Sequence, residues 1–390
     1  MSAANIVSLL GGVALFLFGM QLMGDGLKRV AGNKLELLLY RLTSTPLKGV
    51  LLGTGVTAVI QSSSATSIMV VGFVNSGMMK VRQAIGIVMG AILGTSITGW
   101  IICLSDVGGS SSSWLQLIST TTLTGVVAVV GIILRMFCKS RSKQHVGGIL
   151  LGFAVLMFGM DAMSSAVSPL RDSPAFIEAL TSFSNPLLGI VIGLAITSVL
   201  QSASATVGIL QALSVTGAIT FDIAFPIIMG IAIGAAVPVL LSAFGTSVAG
   251  KRTAFVYLLI DVLGVIIWSI VFYSLNAIIG FDFTGSTVSM ADIAFINTAF
   301  RFATVVVLTP FIRLLEKLVC FLIKDDPEDA EETAEIDRLE ERFIAHPALA
   351  LEQSNAAVCS MAHKAKKNLS RSIALLTDYS DEKYKVVQAK

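Results

Sequence analysis

Charge is what this chain has least of: 13% of its 390 residues are Asp, Glu, Lys or Arg, against about a quarter in soluble domains. With 54% hydrophobic residues, the chain cannot clothe itself in a polar surface, so a soluble globular protein is excluded and a membrane protein is expected. Histidine is scarcer still, with three residues (His145, His346, His363) set outside the apolar segments, and no G-x-S-x-G occurs. An intramembrane serine hydrolase is therefore not expected, nor any other enzyme. The four cysteines (Cys103, Cys138, Cys320, Cys359) are far apart and form no C-x-x-C pair, which argues against a zinc site or a disulfide framework. No G-x-x-x-x-G-K-[ST] is present, so nucleotide hydrolysis is not the energy source and an ion gradient is. No cofactor and no nucleic-acid partner are expected. The first apolar run has no basic stretch before it and no cleavage pattern after it, and reads as a retained helix.

The charge that exists is segregated. Residues 324–390 hold 10 of the 27 basic and 14 of the 25 acidic side chains. A hydrophobic body thus precedes a charged tail, which opens on an acidic linker at 324–335 and becomes helix-periodic over 336–390.

Inside the body lie two dense clusters of Gln, Ser and Thr: Gln61-Ser62-Ser63-Ser64 followed by Thr66, and Gln201-Ser202-Ala203-Ser204 followed by Thr206. Uncompensated polar groups in an apolar segment cost several kcal/mol each, so such clusters need a reason. The two are copies. Pro186 repeats Pro46, Gly193 repeats Gly53, Gln201 repeats Gln61, and Gly230 and Gly234 repeat Gly90 and Gly94, always 140 residues on. Eight of fifteen positions are identical between 53–67 and 193–207, which marks an internal duplication.

Segment lengths then give a topology. A bilayer-spanning helix needs about 20 residues. Full spans are expected at 6–23, 84–104, 114–137, 146–164, 221–245, 254–279 and 291–315. Residues 25–40, with Lys28, Arg29 and Lys34 among leucines, read as an interfacial amphipathic helix. Residues 46–76 and 186–216 are too long for one span and too short for two, so each is expected to be a re-entrant hairpin: a helix to Ile60 or Leu200, a break at the Gln-Ser cluster, and a second helix back to the same side. The units are 1–145 and 146–323. Three crossings separate equivalent points, which inverts the second copy. Lys28, Arg29, Lys34, Lys80, Arg82, Lys139, Arg141, Lys143, Lys251, Arg252 and Arg313 gather on one side of this scheme, while the opposite loops carry a single basic residue, Arg171. The N-terminus is therefore expected outside and the tail in the cytosol. The fold class is an all-α membrane protein with an inverted repeat, two broken-helix hairpins and about seven spans, the arrangement that places a substrate site at the midplane.

The paired Gln-Ser-x-Ser signatures, in register and in this setting, resemble those of the sodium-phosphate cotransporter family over roughly residues 5–320. The resemblance implies a cell-membrane symporter that imports inorganic phosphate with sodium as the coupling ion. Two Gly-x-Asn-x-Gly-Thr patterns of the family are matched at Gly90 and Gly230, but Ile92 and Ala232 stand where the Asn is usual, which leaves the cation and its count open. The tail resembles the opening of the PhoU-like helical domain that some bacterial members carry.

On this reading the substrate and ion site consists of Gln61, Ser62, Ser63, Ser64, Thr66, Gln201, Ser202, Ser204, Thr206 and Arg301, with Thr95, Ser96, Thr98 and Asp261 as further candidates. A broken helix offers unpaired carbonyls to sodium and unpaired N–H groups to an oxyanion. Ser64 and Ser204 are expected to cap the second half-helices. Thr54, Thr57 and Thr197 read as packing residues, and Met20, Met23, Met160 and Met163 as core. Arg301, deep in an apolar segment, either grips phosphate through its fork of donors or pairs with Asp261. Transport of another small oxyanion such as sulfate or a dicarboxylate, or phosphate sensing through the tail, remains open at this point. Association into oligomers is not legible.

Overall fold

The computed structural model describes residues 3–31, 45–103, 120–170 and 185–324, with helical positions scattered between 351 and 373. The acidic linker, the stretch 32–44 and the loops around 104–119 and 171–184 lie outside the described residues, as does most of the tail. Among the described residues every regular element is a helix, and one isolated bridge joins Thr220 to Thr287. Five stretches are long and apolar enough to cross a membrane: Ala4–Val30, Val81–Cys103, Arg141–Val167, Phe221–Ser242 and Val248–Ile279. The protein is an all-α membrane protein.

The chain begins with α1 (Ala3–Ala31). This helix runs straight through Asp25 and Lys28, so residues 25–31 belong to the first long helix and do not start a separate interfacial one. The reason is packing. Gly12, Gly19 and Gly26 form a seam on α1, and a Cβ added at Gly19 would stand 2.3 Å from the Leu156 backbone nitrogen. That seam receives α7 (Arg141–Val167), whose Gly159 and Gly152 return the contact in antiparallel order. Small residues that let helix backbones touch are the usual way helices hold together in lipid.

Two pairs of short helices follow the same plan. Thr45 caps and Pro46 opens α2 (Pro46–Ile60), the chain breaks at Gln61 and Ser62, and α3 (Ser63–Asn75) follows. After a short turn α4 (Val81–Gly94) and α5 (Ser96–Cys103) run on, divided at Thr95. In the second copy Asn185 caps α8 (Pro186–Leu200), the break falls at Gln201 and Ser202, and α9 (Ala203–Ser214) leads to α10 (Phe221–Gly234) and α11 (Val237–Ser242). The expected spans at 84–104 and 221–245 are thus each two helices. Between α5 and α7 in the sequence comes α6 (Thr120–Phe137), which packs on α7.

Glycine contacts fix the direction of each pair. Gly53 meets Ile87 while Gly90 meets Val50 and Gly94 meets Thr54, so α2 and α4 lie parallel. In the second copy Gly193 meets Ile227, Gly230 meets Ile190 and Gly234 meets Leu194. Only a short turn joins α3 to α4, and α4 lies parallel to α2, so the chain must reverse at the break as well. Each Gln-Ser cluster is therefore the tip of a helical hairpin.

The body is completed by α12 (Val248–Ile279), α13 (Met290–Leu308) and α14 (Ile312–Leu322). The last expected span, 291–315, ends early: a 3-10 turn at Thr309–Phe311 contains Pro310, which cannot donate a helix hydrogen bond. The main apolar core gathers residues from both hairpins, α4, α10 and α12 to α14, and a second cluster sits where α1 and α7 meet α9. Val7, Phe244 and Val199, the last 83% exposed, lie on outward apolar faces.

Candidate functional site

The two hairpin tips are built alike, from the backbone up. Gln61 and Gln201 end their helices in the left-handed conformation, at φ 59° and 53°, and are the only described non-glycine residues with positive φ. A long side chain seldom adopts that conformation, and its recurrence at equivalent positions marks a demand of the site. Directly after it, Ser62 and Ser202 cap the returning helices by accepting from the Ala65 and Ala205 N–H groups at 3.1 and 3.3 Å. The caps are therefore Ser62 and Ser202, and the expectation that Ser64 and Ser204 would cap is corrected. Helix α3 starts at Ser63 and α9 at Ala203, so the fourth residue of each motif is already one turn-step inside. A threonine clasp then closes each hairpin, with Thr57 donating to Thr66 at 3.0 Å and Thr197 to Thr206 at 3.1 Å. Thr66 and Thr206 also donate to the Ser62 and Ser202 carbonyls, both at 3.1 Å. Thr54 bonds to the Val50 and Gly90 carbonyls, a packing role as expected.

Both tips open onto one cavity of about 320 Å³. Gln61, Ser62, Ser63, Ser64 and Thr95 line it from the first copy and Gln201, Ser202, Ala203 and Ser204 from the second. The first residues of α3 and α9 both line it, so helix starts from the two copies, with N–H groups that no helix carbonyl can satisfy, stand at its wall. Helix α1 forms the remaining wall with Leu17, Met20, Gln21, Gly24, Asp25 and Lys28. Ser204 donates to the Met20 sulfur at 3.3 Å, and a Cβ at Gly24 would lie 3.3 Å from the Ile60 carbonyl oxygen, so α1 touches both tips.

Other sequence candidates lie behind this wall. Thr98 donates to the Gln61 Oε1 at 2.8 Å, and Gln61 spends its own amide N–H on the Ala58 carbonyl. Ser96 is buried, and its hydroxyl has no partner. Arg301 is 0% exposed and does not line the cavity. Its Nε donates to Asn297 Oδ1 at 2.9 Å and its Nη1 to the Ile92 carbonyl at 3.4 Å, while Nη2 has no partner. Asp261, 1% exposed, likewise keeps one oxygen unpartnered. The expected ion pair between them is not formed. Lys28 and Asp25, on α1, do approach within ion-pair distance, at 3.8 Å. Arg301 instead turns to its own helix and to α4, although its charge still acts on Asp261.

Sequence reasoning missed two things. One is the α1 wall, whose signal was present: Gln21, Asp25 and Lys28 fall at i, i+4 and i+7, one polar face of an otherwise apolar helix. The other is Tyr257, fully buried on α12, which donates to the Ser63 hydroxyl at 3.1 Å and for which the sequence carries no local signal. Of the four methionines read as core, Met23, Met160 and Met163 are buried, and Met20 lines the cavity. A larger cavity of about 650 Å³ between α10, α12 and α13 is walled mainly by aromatic and aliphatic side chains such as Phe221, Phe225, Trp268 and Phe272. The one charged side chain in its lining is the Asp292 carboxylate, which suits no small anion.

A polytopic α-helical membrane protein in which two broken-helix units meet at a polar cavity has the form of a solute carrier. Comparison with known proteins gives the family. Residues 15–165 and 173–297 match the family described as Na+/Pi-cotransporter, and the chain belongs to it. It is 26% identical over 319 residues to "Uncharacterized protein YqeW" of Bacillus subtilis, covering 82% of this chain and 98% of that one. It is 24% identical over 326 residues to "Putative inorganic phosphate export protein YjbB" of Escherichia coli K12, covering 83% of this chain and 57% of that one. A stretch of 109 residues is 36% identical to human "Sodium-dependent phosphate transport protein 2B", covering 27% of this chain and 16% of the human protein. No solved structure matches the chain.

Proposed function

We propose that this protein is a secondary transporter that imports inorganic phosphate together with sodium by alternating access at the central cavity. The observation that carries the reading is the convergence of both helix breaks on one polar space. Phosphate is held by the N–H groups that open α3 and α9 and by the hydroxyls of Ser62, Ser63, Ser64, Ser202 and Ser204, all of which can donate. Sodium takes oxygens, and these are supplied on the side of the first hairpin by the carbonyls that end α2 together with Thr95 and Ser96. The hydroxyl of Ser96, buried without a partner, suits that role. Gln61 and Gln201 set the left-handed turn from which both sets of groups are presented. The residues present thus offer a cation ligands even though Ile92 and Ala232 replace the usual amides.

In the membrane the hairpins 46–76 and 186–216 are re-entrant and enter from opposite faces. The units 1–145 and 146–323 form an inverted repeat of about seven spans in the cell membrane, with the N-terminus outside and the tail from 324 in the cytosol. The distribution of Lys and Arg supports this orientation. Cysteine placed at Ser286 should react with an impermeant thiol reagent added to intact cells, and cysteine at Ser142 should not. Labelling at Ser142 would reverse the orientation.

The decisive experiment is flux of labelled phosphate into proteoliposomes. An inward sodium gradient should drive accumulation, and sulfate or a dicarboxylate should compete poorly. Strong competition would move the substrate to another oxyanion, and binding without accumulation would make the protein a sensor. A second reading, export, is favoured by the name of the Escherichia coli relative, of whose length this chain spans little more than half. Gradients imposed in each direction separate the two.

A further inference from the structure

Among the residues that line the central cavity, two carry charge: Asp25 and Lys28, both on α1. Arg301, the cation that the sequence put forward, is sealed behind the wall with its guanidinium held by Asn297 and Ile92. A site that discriminates oxyanions by charge therefore has one side-chain cation to do it with. Lys28 stands on the same face of α1 as Gln21, and that face lies against both hairpin tips through Gly24 and Met20. Its ammonium is 3.8 Å from Asp25, and the two side chains are 47% and 50% exposed. An ion pair that open to water is weak. It is readily exchanged for a better anion.

We propose that Lys28 is the cation that recognises phosphate at this cavity and that Asp25 is its resting partner, displaced when the anion enters. The proposal rests on the transport reading above. It follows from the chemistry of loading and unloading. A lone ammonium beside two positive helix ends would hold an empty cavity open to any anion, and a fixed carboxylate would repel phosphate outright. A weak pair one helical turn apart avoids both: the lysine stem swings its point charge from Asp25 to the incoming oxyanion, and Asp25 takes it back on release. The device occurs once. The positions 140 residues on, Ser165 and Ser168, carry no charge, and α7 does not line the cavity.

The test is phosphate flux and competition by sulfate and nitrate in proteoliposomes with the full-length chain, for wild type, Lys28→Gln, Lys28→Arg and Asp25→Asn. Lys28→Gln should raise the half-saturating phosphate concentration about tenfold, equivalent to roughly 1.4 kcal/mol, with a smaller change in maximal rate. Lys28→Arg should recover most of the affinity. Asp25→Asn should move the other way and lower the half-saturating concentration, because it frees the lysine. Wild-type affinity should weaken as ionic strength rises, and Lys28→Gln should flatten that dependence. Unchanged half-saturation in Lys28→Gln overturns the proposal. So does equal impairment in Lys28→Gln and Asp25→Asn, which would make the pair a structural tie. Should Lys28→Gln fail to assemble, the opposed effects of Lys28→Arg and Asp25→Asn still decide. A wild type that neither binds nor moves phosphate instead removes the transport reading, an outcome separate from these.

Discussion

The first hairpin and the second have the same skeleton and different surroundings. Left-handed Gln, capping Ser, threonine clasp and glycine seam recur at a spacing of 140 residues with nearly equal distances. What surrounds them does not recur. Gln61 is 7% exposed and held by Thr98, whereas Gln201 is exposed and its counterpart of Thr98 is Pro238, which has no donor to offer. Ser63, bonded by Tyr257, corresponds to Ala203, and Thr95 and Ser96 correspond to Ala235 and Ala236. Leu47 and Leu51 of α2 are as exposed as Leu187 and Val191 of α8, but nearer the break Val56 is buried and Val59 half-buried where Ile196 and Val199 are exposed. The shared features are those that a broken helix needs in order to exist at all. The unshared ones are chemistry added to one break.

The hardest way to break the comparison is at the shared skeleton. A Cβ at Gly53 or Gly193 would stand 2.2 Å from a backbone carbonyl oxygen, of Ile87 in one copy and Ile227 in the other. Backbone cannot swing aside as a side chain does. Gly53→Val and Gly193→Val should therefore each cost more than about 3 kcal/mol and largely abolish assembled protein, measured as monodisperse yield and thermal unfolding in detergent. If one copy tolerated the change, the two hairpins would not be equivalent structural units.

The next effect is one-sided. Arg301 crosses to the Ile92 carbonyl on α4 and so belongs to the first copy's surroundings. Arg301→Gln strips donors from Asn297 and Ile92, a loss of about 1–3 kcal/mol, and takes away the charge whose field reaches Asp261. Asp261→Asn added to it should restore part of that stability and of the uptake. A double mutant no better than Arg301→Gln alone would show that the two charges are not coupled.

How much of this was legible follows the same division. The duplication and the two helix breaks could be read because each is local: a Pro that opens, a Gly that allows contact, a Gln-Ser pair that breaks, repeated twice. The α1 wall was misread as a separate helix because three basic residues after Asp25 mimic an interfacial pattern, and only the seam against α7 shows that the helix continues. Tyr257 and the Ile92 partner of Arg301 were not legible, since each contact spans about 190 or 210 residues in sequence, whereas Asn297, four residues before Arg301 on the same helix, was within reach of the sequence. The caps were placed two residues late because the left-handed residue consumes the first position of the break.

Thr98 sharpens the comparison at smaller scale. Thr98→Val removes the hydroxyl that donates to Gln61 Oε1 in a buried setting, which should cost about 1–3 kcal/mol and lower uptake through the first tip. Gln61→Ala in that background should add little. Pro238→Thr, which supplies a hydroxyl at the equivalent place, should leave the exposed Gln201 and the stability nearly unchanged. Equal sensitivity at both positions, read by thermal unfolding, would erase the difference between the tips.

The smallest effect tests the sameness again, and its direction can be worked out. In each clasp the first threonine donates to the second, and the second donates onward to the carbonyl of the capping serine. Thr57→Val removes a donor and leaves the Thr66 hydroxyl still bonded through its own proton, so no buried donor is orphaned and the loss should be about 1 kcal/mol. Thr66→Val does more, because the Thr57 hydroxyl loses its acceptor and the Ser62 carbonyl loses its side-chain donor. The order of damage should therefore be Thr66→Val above Thr57→Val, and Thr206→Val above Thr197→Val, with equal steps in the two copies. Because the two mutations in a clasp share the loss of the threonine–threonine bond, each double mutant should cost less than the sum of its singles. Unfolding of the four single and two double mutants measures this, and additive losses or a reversed order in either copy would mean that the clasp does not hold that hairpin closed.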